Sequence, residues 1–176
     1  KLEKACECLA DIRKSAASKL TVLLKSALEN LNFLEIQFEI SISRKEIGEN
    51  GYDDVEFLIS TNPGEQLKPL IQVASGGELS RIMLAIKTVL DSKDCIDTLI
   101  FDEIDVGISG KTAWKVAEQL NAVSRVHQVI CITHLPQIAA MADTHFLIEK
   151  DVAEGTTLTD IHLVQDHEQL EELARL

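Results

Sequence analysis

The sequence predicts an α/β fold, a mostly parallel sheet flanked by helices with an antiparallel hairpin and a long helix ahead of it. Three observations carry this. Short, wholly apolar runs, "TLIF" (98–101) and "QVICIT" (128–133), alternate with helical stretches through the middle of the chain, the order that builds a parallel sheet. An earlier segment, "FLEIQFEISIS" (33–43), alternates apolar and polar residues instead, as half-buried antiparallel strands do. Residues 1–31 place apolar side chains at helical spacing.

Taken in order, the first helix puts Leu2, Ala5, Leu9, Ile12 and Ala16 in 3-4-3-4 steps, the spacing of a coiled-coil seam. The next steps, to Leu20 and Leu24, are fours, a stutter that unwinds a supercoil locally. Two readings stand: the end of a coiled-coil arm over 1–31 entering a head over 32–176, or one amphipathic helix. In the strand that follows, Leu34, Ile36, Phe38, Ile40 and Ile42 point inward; "GENG" turns it and "DVEFLIST" pairs back. A loop with Pro63, Gly64 and Pro69 leads to a helix whose face is Leu79, Ile82, Met83, Ile86, Val89 and Leu90. "TLIF" reads as a strand covered on both faces. Ala113, Val116, Ala117, Leu120 and Val123 mark the next helix, before the strand "QVICIT". A short helix at about 135–142 precedes the strands "HFLIEK" and "TTLTDIHLV". "DHEQLEELARL" closes as an amphipathic helix, with Asp166 as cap and Gln169 three residues on.

With 176 residues the chain has the length for one domain, or part of one, and for a real core. Apolar residues make up 45% and aromatics 4%, so the packing is aliphatic. A formal charge of −12 argues against a broad nucleic-acid surface on this chain, because phosphate binding needs clustered Lys and Arg. No run is apolar enough to cross a bilayer. Cys6 and Cys8 form a C-x-C without a second pair at zinc spacing, and Cys95 and Cys131 stand apart, so reduced, buried or incidental thiols of a cytoplasmic protein are expected. The opening residues read as mid-helix and carry no Met, as in a piece of a longer polypeptide.

Three motifs gather the chemistry. "SGGELSR" (75–81) places Ser75 and Glu78 as a capping box, which by itself leaves two glycines in a first helical turn unexplained. Gly76 and Gly77 fit a backbone that something approaches closely, and a helix N-terminus with free N–H groups is an anion site. "LIFDE" puts Asp102 and Glu103 at the carboxyl end of a buried strand, where open α/β sheets place ligands. There Asp102 suits Mg²⁺, directly or through water, and Glu103 suits deprotonating an attacking water; alternatively the pair opens a loop and caps the next helix. "ITHLPQ" sets His134 at the end of the next strand, on the same sheet edge, placed to bond a γ-phosphate or the attacking water or to serve as a loop residue.

"DVGISGKT" contains Gly110, Lys111 and Thr112, the end of a phosphate-binding loop, but Asp105 stands where its first glycine belongs. A carboxylate there would face the anion the loop must attract.

In this order and spacing, the motifs resemble the ABC-type ATPase heads of the structural-maintenance-of-chromosomes (SMC) class. "SGGELSR" looks like the ABC signature, "TLIFDE" like the Walker B strand with its catalytic glutamate, and "ITH" like the switch histidine. "VGISGKT" is similar to the D-loop at the interface between two heads, with Gly107 and Ser109 at that interface; the class usually carries aspartate where Ser109 stands. The wording of residues 60–176 is close to a bacterial branch devoted to DNA double-strand-break repair.

The resemblance implies a composite ATPase, of which this chain would be the C-terminal lobe. Two heads sandwich ATP and Mg²⁺; each ATP is held by the Walker A loop of one head and capped by Ser75, Gly76, Gly77 and Glu78 of the other, the diglycine turn facing outward. Glu103 and His134 would be catalytic and Asp102 the metal ligand. Walker A, absent from these residues, would come from the N-terminal half of the head, so the chain alone is expected to be inactive. The implied partners are that half, a second head in a homodimer, and DNA through the intact protein, with no membrane and a place at the bacterial nucleoid. Rival readings are the head of another SMC-like ATPase, a non-catalytic dimerisation module, and an NTPase using Gly110–Thr112.

Overall fold

A computed structural model describes residues 1–33, 35–61, 64–73, 75–90, 96–153 and 156–176; Leu34, Pro63 and Cys95 lie outside the described residues. Helix α1 (Leu2–Asn30) is unbroken, about 43 Å long at 1.5 Å per residue. Its buried stripe is Cys6, Ala10, Leu24 and Leu28. The seam read from spacing faces the other way over its first half: Leu2 and Ile12 are 64% and 61% exposed. The helix thus carries two stripes, one packed on the head and one open. It stops in a Schellman motif, in which Phe33 N–H donates to Leu28 O and Asn32 N–H to Glu29 O, both at 3.1 Å. Asn32 takes the left-handed position, φ 70°, which asparagine tolerates better than most side chains.

Strands β1 (Gln37–Gly48) and β2 (Gly51–Ser60) form the expected antiparallel hairpin, Phe38 opposite Ile59. The strand begins later than the alternation suggested because the connection from α1 first buries Leu31, Phe33 and Ile36 in the core. The hairpin turn lies along α1. Tyr52 packs with Cys6 and Ala10, while Arg13 donates to Asp53 Oδ2 and to Asn50 O, each at 2.8 Å. Gly51, at φ +87°, needs to be glycine twice over, because a Cβ there would meet Leu9 Cδ2 at 3.2 Å.

A short strand β3 (Lys68–Pro69) pairs with β2. Helix α2 (Gly76–Leu90) buries Gly77, Arg81, Ile82, Leu84 and Ala85. Its inward face is therefore rotated from the predicted one, and Leu79 and Met83 face out. The column Gly77–Arg81–Ala85 lies inside because the loop after the next strand comes against it.

The parallel element is β4 (Thr98–Phe101) with β5 (Gln128–Cys131), joined by the crossover helix α3 (Gly110–Val123). Leu99 and Phe101 point into the core with Val116, Ala117 and Leu120. The other face is not covered: Ile100 is 67% exposed, Ile130 45% and Ile132 48%. The expectation of cover on both faces is corrected here, since the packed helices of this chain reach only one side.

A four-residue helix α4 (Pro136–Ala139) leads to the antiparallel hairpin β6 (His145–Ala153) and β7 (Thr156–Val164). Helix α5 (Asp166–Arg175) ends the chain; Gln165, not Asp166, occupies its cap position, with no side-chain bond. No helix among the described residues is long and apolar enough to cross a membrane.

Candidate functional site

Strands β4 and β5 run parallel with Phe101 opposite Cys131, and Ile132 N–H donates to Phe101 O at 3.0 Å. The residues just beyond each strand therefore leave the sheet from neighbouring tips. Asp102 and Glu103 leave one, Thr133 and His134 the other.

At the first tip, Asp102 Oδ1 accepts from Glu103 N–H at 2.9 Å, and Asp102 O accepts from Ser80 Oγ–H at 2.6 Å. Glu103 sits at φ +57°, a left-handed conformation that costs a non-glycine residue about 1–3 kcal/mol and persists only where the surroundings impose it. The turn it opens closes by Val106 N–H donating to Glu103 O at 3.1 Å. Buried Arg81 of α2 fixes the same turn through Nη1, which donates to Ile104 O at 3.1 Å and Val106 O at 2.9 Å. Burial presses that guanidinium below the usual arginine value, while the Glu78 carboxylate works the other way.

Asp105 joins the two tips. Its side chain is 3% exposed, and Oδ2 accepts from Thr133 Oγ1–H at 2.6 Å and from His134 N–H at 2.8 Å. His134 Nδ1 lies 3.0 Å from the same oxygen, with the ring 69% exposed. The imidazole is thus anchored by Asp105 and turned to solvent. Nearby, burial first, then Asp105 and Asp102, push the Cys131 thiol up to about 12.

The diglycine turn meets this structure directly. Ser75 Oγ accepts from Glu78 N–H at 3.4 Å, as a capping serine does. A Cβ on Gly76 would collide with the Glu103 carboxylate; one on Gly77 would lie 2.8 Å from Glu103 O and 3.1 Å from Val106 O. Ser75 and Gly76 are exposed, but Gly77 is buried. The close approach inferred from two glycines is made by the chain's own Glu103–Val106 turn, which corrects the expectation that the whole turn faces outward.

Further along, Gly107 (φ +75°) and Ser109 are exposed, and Gly110, Lys111 and Thr112 form the first turn of α3. Cys6 is buried and Cys8 exposed, so the C-x-C does not converge. Among the described residues no three His, Cys, Asp or Glu side chains form a metal cluster.

The sequence reading missed Asp105, Arg81 and Ser80 as parts of the site. Gly77 and Ala85, one turn to either side of Arg81, were the available signal that it faces inward. Asp105 had none, because its role depends on a strand that arrives from beyond α3.

The architecture is that of an SMC-type ATPase head. It matches the Smc head domain with a coiled coil and joint from Pyrococcus yayanosii at TM-score 0.63 and 20% identity, over 93% of this chain and 30% of that one. It also matches a chain solved in work on ATP-driven dimerization and DNA-stimulated activation of SMC ATPases, at TM-score 0.52 and 17% identity, over 94% of this chain and 95% of that one. No protein-family model matches. Sequence relatives are nearer. The chain is 46% identical over 180 residues to the DNA repair protein RecN of Halalkalibacterium halodurans, covering 99% of this chain and 32% of that protein. It is 43% identical to RecN of Bacillus subtilis, covering 96% of this chain and 32% of that one. The chain belongs to the RecN family and spans about a third of the length of these relatives.

Proposed function

We propose that the chain is the C-terminal lobe of an ATPase head in a RecN-like protein of DNA double-strand-break repair, working between two engaged heads. The observation that carries this is the pairing of tips: Asp102 and Glu103 leave β4 beside Thr133 and His134 leaving β5. Bound between heads, ATP–Mg²⁺ supplies the phosphoanhydride to be cleaved and the divalent charge that polarises it. Asp102 fits as an Mg²⁺ ligand because it is an exposed hard oxygen donor at a strand end, and Mg²⁺ in such sites takes one or two carboxylates and completes its shell with phosphate and water. Glu103 orients the attacking water and takes its proton. His134 faces the same space.

Ser75 and Gly76 are the exposed part of the helix start that caps a nucleotide held by another head; Gly77 seats that turn, Glu78 closes its capping box, and Gly107 and Ser109 lie at the head–head contact. The N-terminal half of the head, which carries Walker A in this class, lies on the open face of Ile100, Ile130 and Ile132. An apolar patch of that kind marks a contact surface. The open seam of Leu2 and Ile12 takes a partner helix of the coiled-coil arm, which ends at residue 31. DNA is met by the intact protein, in the bacterial cytoplasm at the nucleoid, and not through this acidic chain. Without Walker A, the chain alone does not turn over ATP.

The test is ATP turnover by the full-length polypeptide. Glu103→Gln is expected to lower kcat by about 10²–10⁴-fold, the range of a lost general base, with ATP still bound. Unchanged turnover would overturn the assignment.

A further inference from the structure

Resting on that ATPase reading, we propose that Asp105 is a positioning residue that holds His134 in the Nδ1–H tautomer, so that the neutral ring presents Nε2 as a hydrogen-bond acceptor to the reaction space. Nothing in the sequence motifs assigns Asp105 a role, and only the fold brings it to His134.

The argument is one of donors and acceptors. Asp105 Oδ2 takes three contacts from the β5 tip: the Thr133 hydroxyl, the His134 amide and His134 Nδ1. A carboxylate only accepts, so each of those groups must bring a proton, and Nδ1 is the protonated nitrogen. A histidine ring's tautomer is fixed by the bond its other nitrogen makes. Nε2 of the neutral ring is then a lone pair, on a side chain 69% exposed. A lone pair accepts from water. It offers nothing to a phosphate oxygen, which is itself an acceptor. Of the two uses that the motif left open for this histidine, the geometry favours the attacking water.

The carboxylate is itself held. Its residue lies in the turn that Arg81 grips through the carbonyls of Ile104 and Val106, and Ile108 N–H donates to Asp105 O at 3.3 Å. The hydroxyl of Thr133 also accepts from Leu135 N–H at 3.1 Å, which fixes the backbone on the far side of the ring. The imidazole is therefore oriented from both its backbone and its Nδ1 edge before any ligand arrives.

The experiment uses the full-length polypeptide with ring-¹⁵N-labelled histidine, His134 being assigned by the resonance missing from His134→Gln. The expected spectrum of the neutral ring has protonated Nδ1 and unprotonated Nε2. Asp105→Asn keeps a carbonyl oxygen for the Thr133 and His134 donors, so the tip keeps its shape, but it removes the charge; the ring then moves toward the Nε2–H form. Thr133→Val, which loosens the tip without touching the ring bond, leaves the Nδ1–H form in the majority.

In ATP turnover, Asp105→Asn lowers kcat about 10–100-fold, the scale for losing a carboxylate that orients a functional histidine, with KM for ATP unchanged. It has no further effect in the His134→Gln background. An Nε2–H ring in the unsubstituted protein, or an Asp105→Asn loss that persists undiminished without His134, overturns the proposal. A full-length polypeptide that never hydrolyses ATP would sink the ATPase reading alone; the ring spectrum would still decide this one.

Discussion

The β1–β2 hairpin and the β4–β5 pair are both built from apolar sequence, yet one is finished and the other is not. The hairpin sets Phe38 and Ile59 against the core and Tyr52 against Cys6 and Ala10 of α1. Its outward row of Gln37, Glu39, Ser41 and Ser43 is polar, and its buried acid, Asp53, is met by Arg13 at 2.8 Å. The parallel pair buries Leu99 and Phe101 on one face and leaves Ile100, Ile130 and Ile132 open on the other. Alternation in a strand is a surface designed to meet water on one side. A continuous apolar run requires cover on both, and here the second cover is not supplied by the described residues.

The sharpest test of that contrast uses two adjacent residues of β4. Phe101 is 4% exposed and Ile100 67%. Phe101→Ala should cost about 3–5 kcal/mol through lost burial and the cavity left behind. Ile100→Thr should change the stability of this chain by no more than about 0.5 kcal/mol, as surface substitutions do, while reducing association through the open face. Denaturant unfolding with sedimentation on the same samples checks both. Equal costs at the two sites would break the comparison and mean that the outer face is covered after all.

A smaller effect separates the two signature glycines. At Gly77 an added methyl meets backbone, Glu103 O at 2.8 Å and Val106 O at 3.1 Å. Neither can swing away, so Gly77→Ala should destabilise by about 1–3 kcal/mol, the range for overpacking. At Gly76 the obstacle is the end of the Glu103 side chain, which has room to rotate toward solvent. Gly76→Ala should therefore cost less in thermal denaturation than Gly77→Ala. The reverse order would mean that the turn is seated on something other than the Glu103–Val106 loop.

Much of this was legible in sequence because local periodicity is a local property. The hairpin alternation, the α3 stripe of Ala113, Val116, Ala117, Leu120 and Val123, and the strand ends carrying Asp102 and His134 all follow from neighbours in the chain. What failed depended on contacts distant in sequence. The face of α2 was misplaced because its inward column is set by Arg81 reaching carbonyls of Ile104 and Val106, and a charged residue is ordinarily read as outward. The α1 seam was assigned correctly by spacing, but spacing does not say which of two stripes the head occupies. Glu103 at φ +57° has no sequence signature at all. Asp105 looked like a defect in a phosphate loop, and only the arrival of the β5 tip makes it the anchor of the site.

The smallest expected effect lies between the two carboxylates and the finished side of the sheet, at Cys131. Burial, then Asp105, then Asp102, raise its thiol from 9.0 to about 12. At neutral pH it stays protonated, so a thiolate-selective alkylating agent should modify exposed Cys8 well before Cys131. The same shift fixes a pH dependence and its sign. As pH rises past 9.0 the unfolded chain gives up this proton while the folded chain retains it, so the unfolded state gains and stability falls until about pH 12, where the folded thiol also ionises. Below pH 9 the group contributes no slope. Cys131→Ala should therefore flatten, within that window, the fall of the denaturation midpoint with pH. The two acids sharpen the point, because Asp105→Asn removes one of the charges and should lower the thiol part of the way while leaving the burial contribution in place. Identical slopes for the original chain and Cys131→Ala would mean that this thiol is solvated, and that the β5 tip is not packed against Asp105 as described.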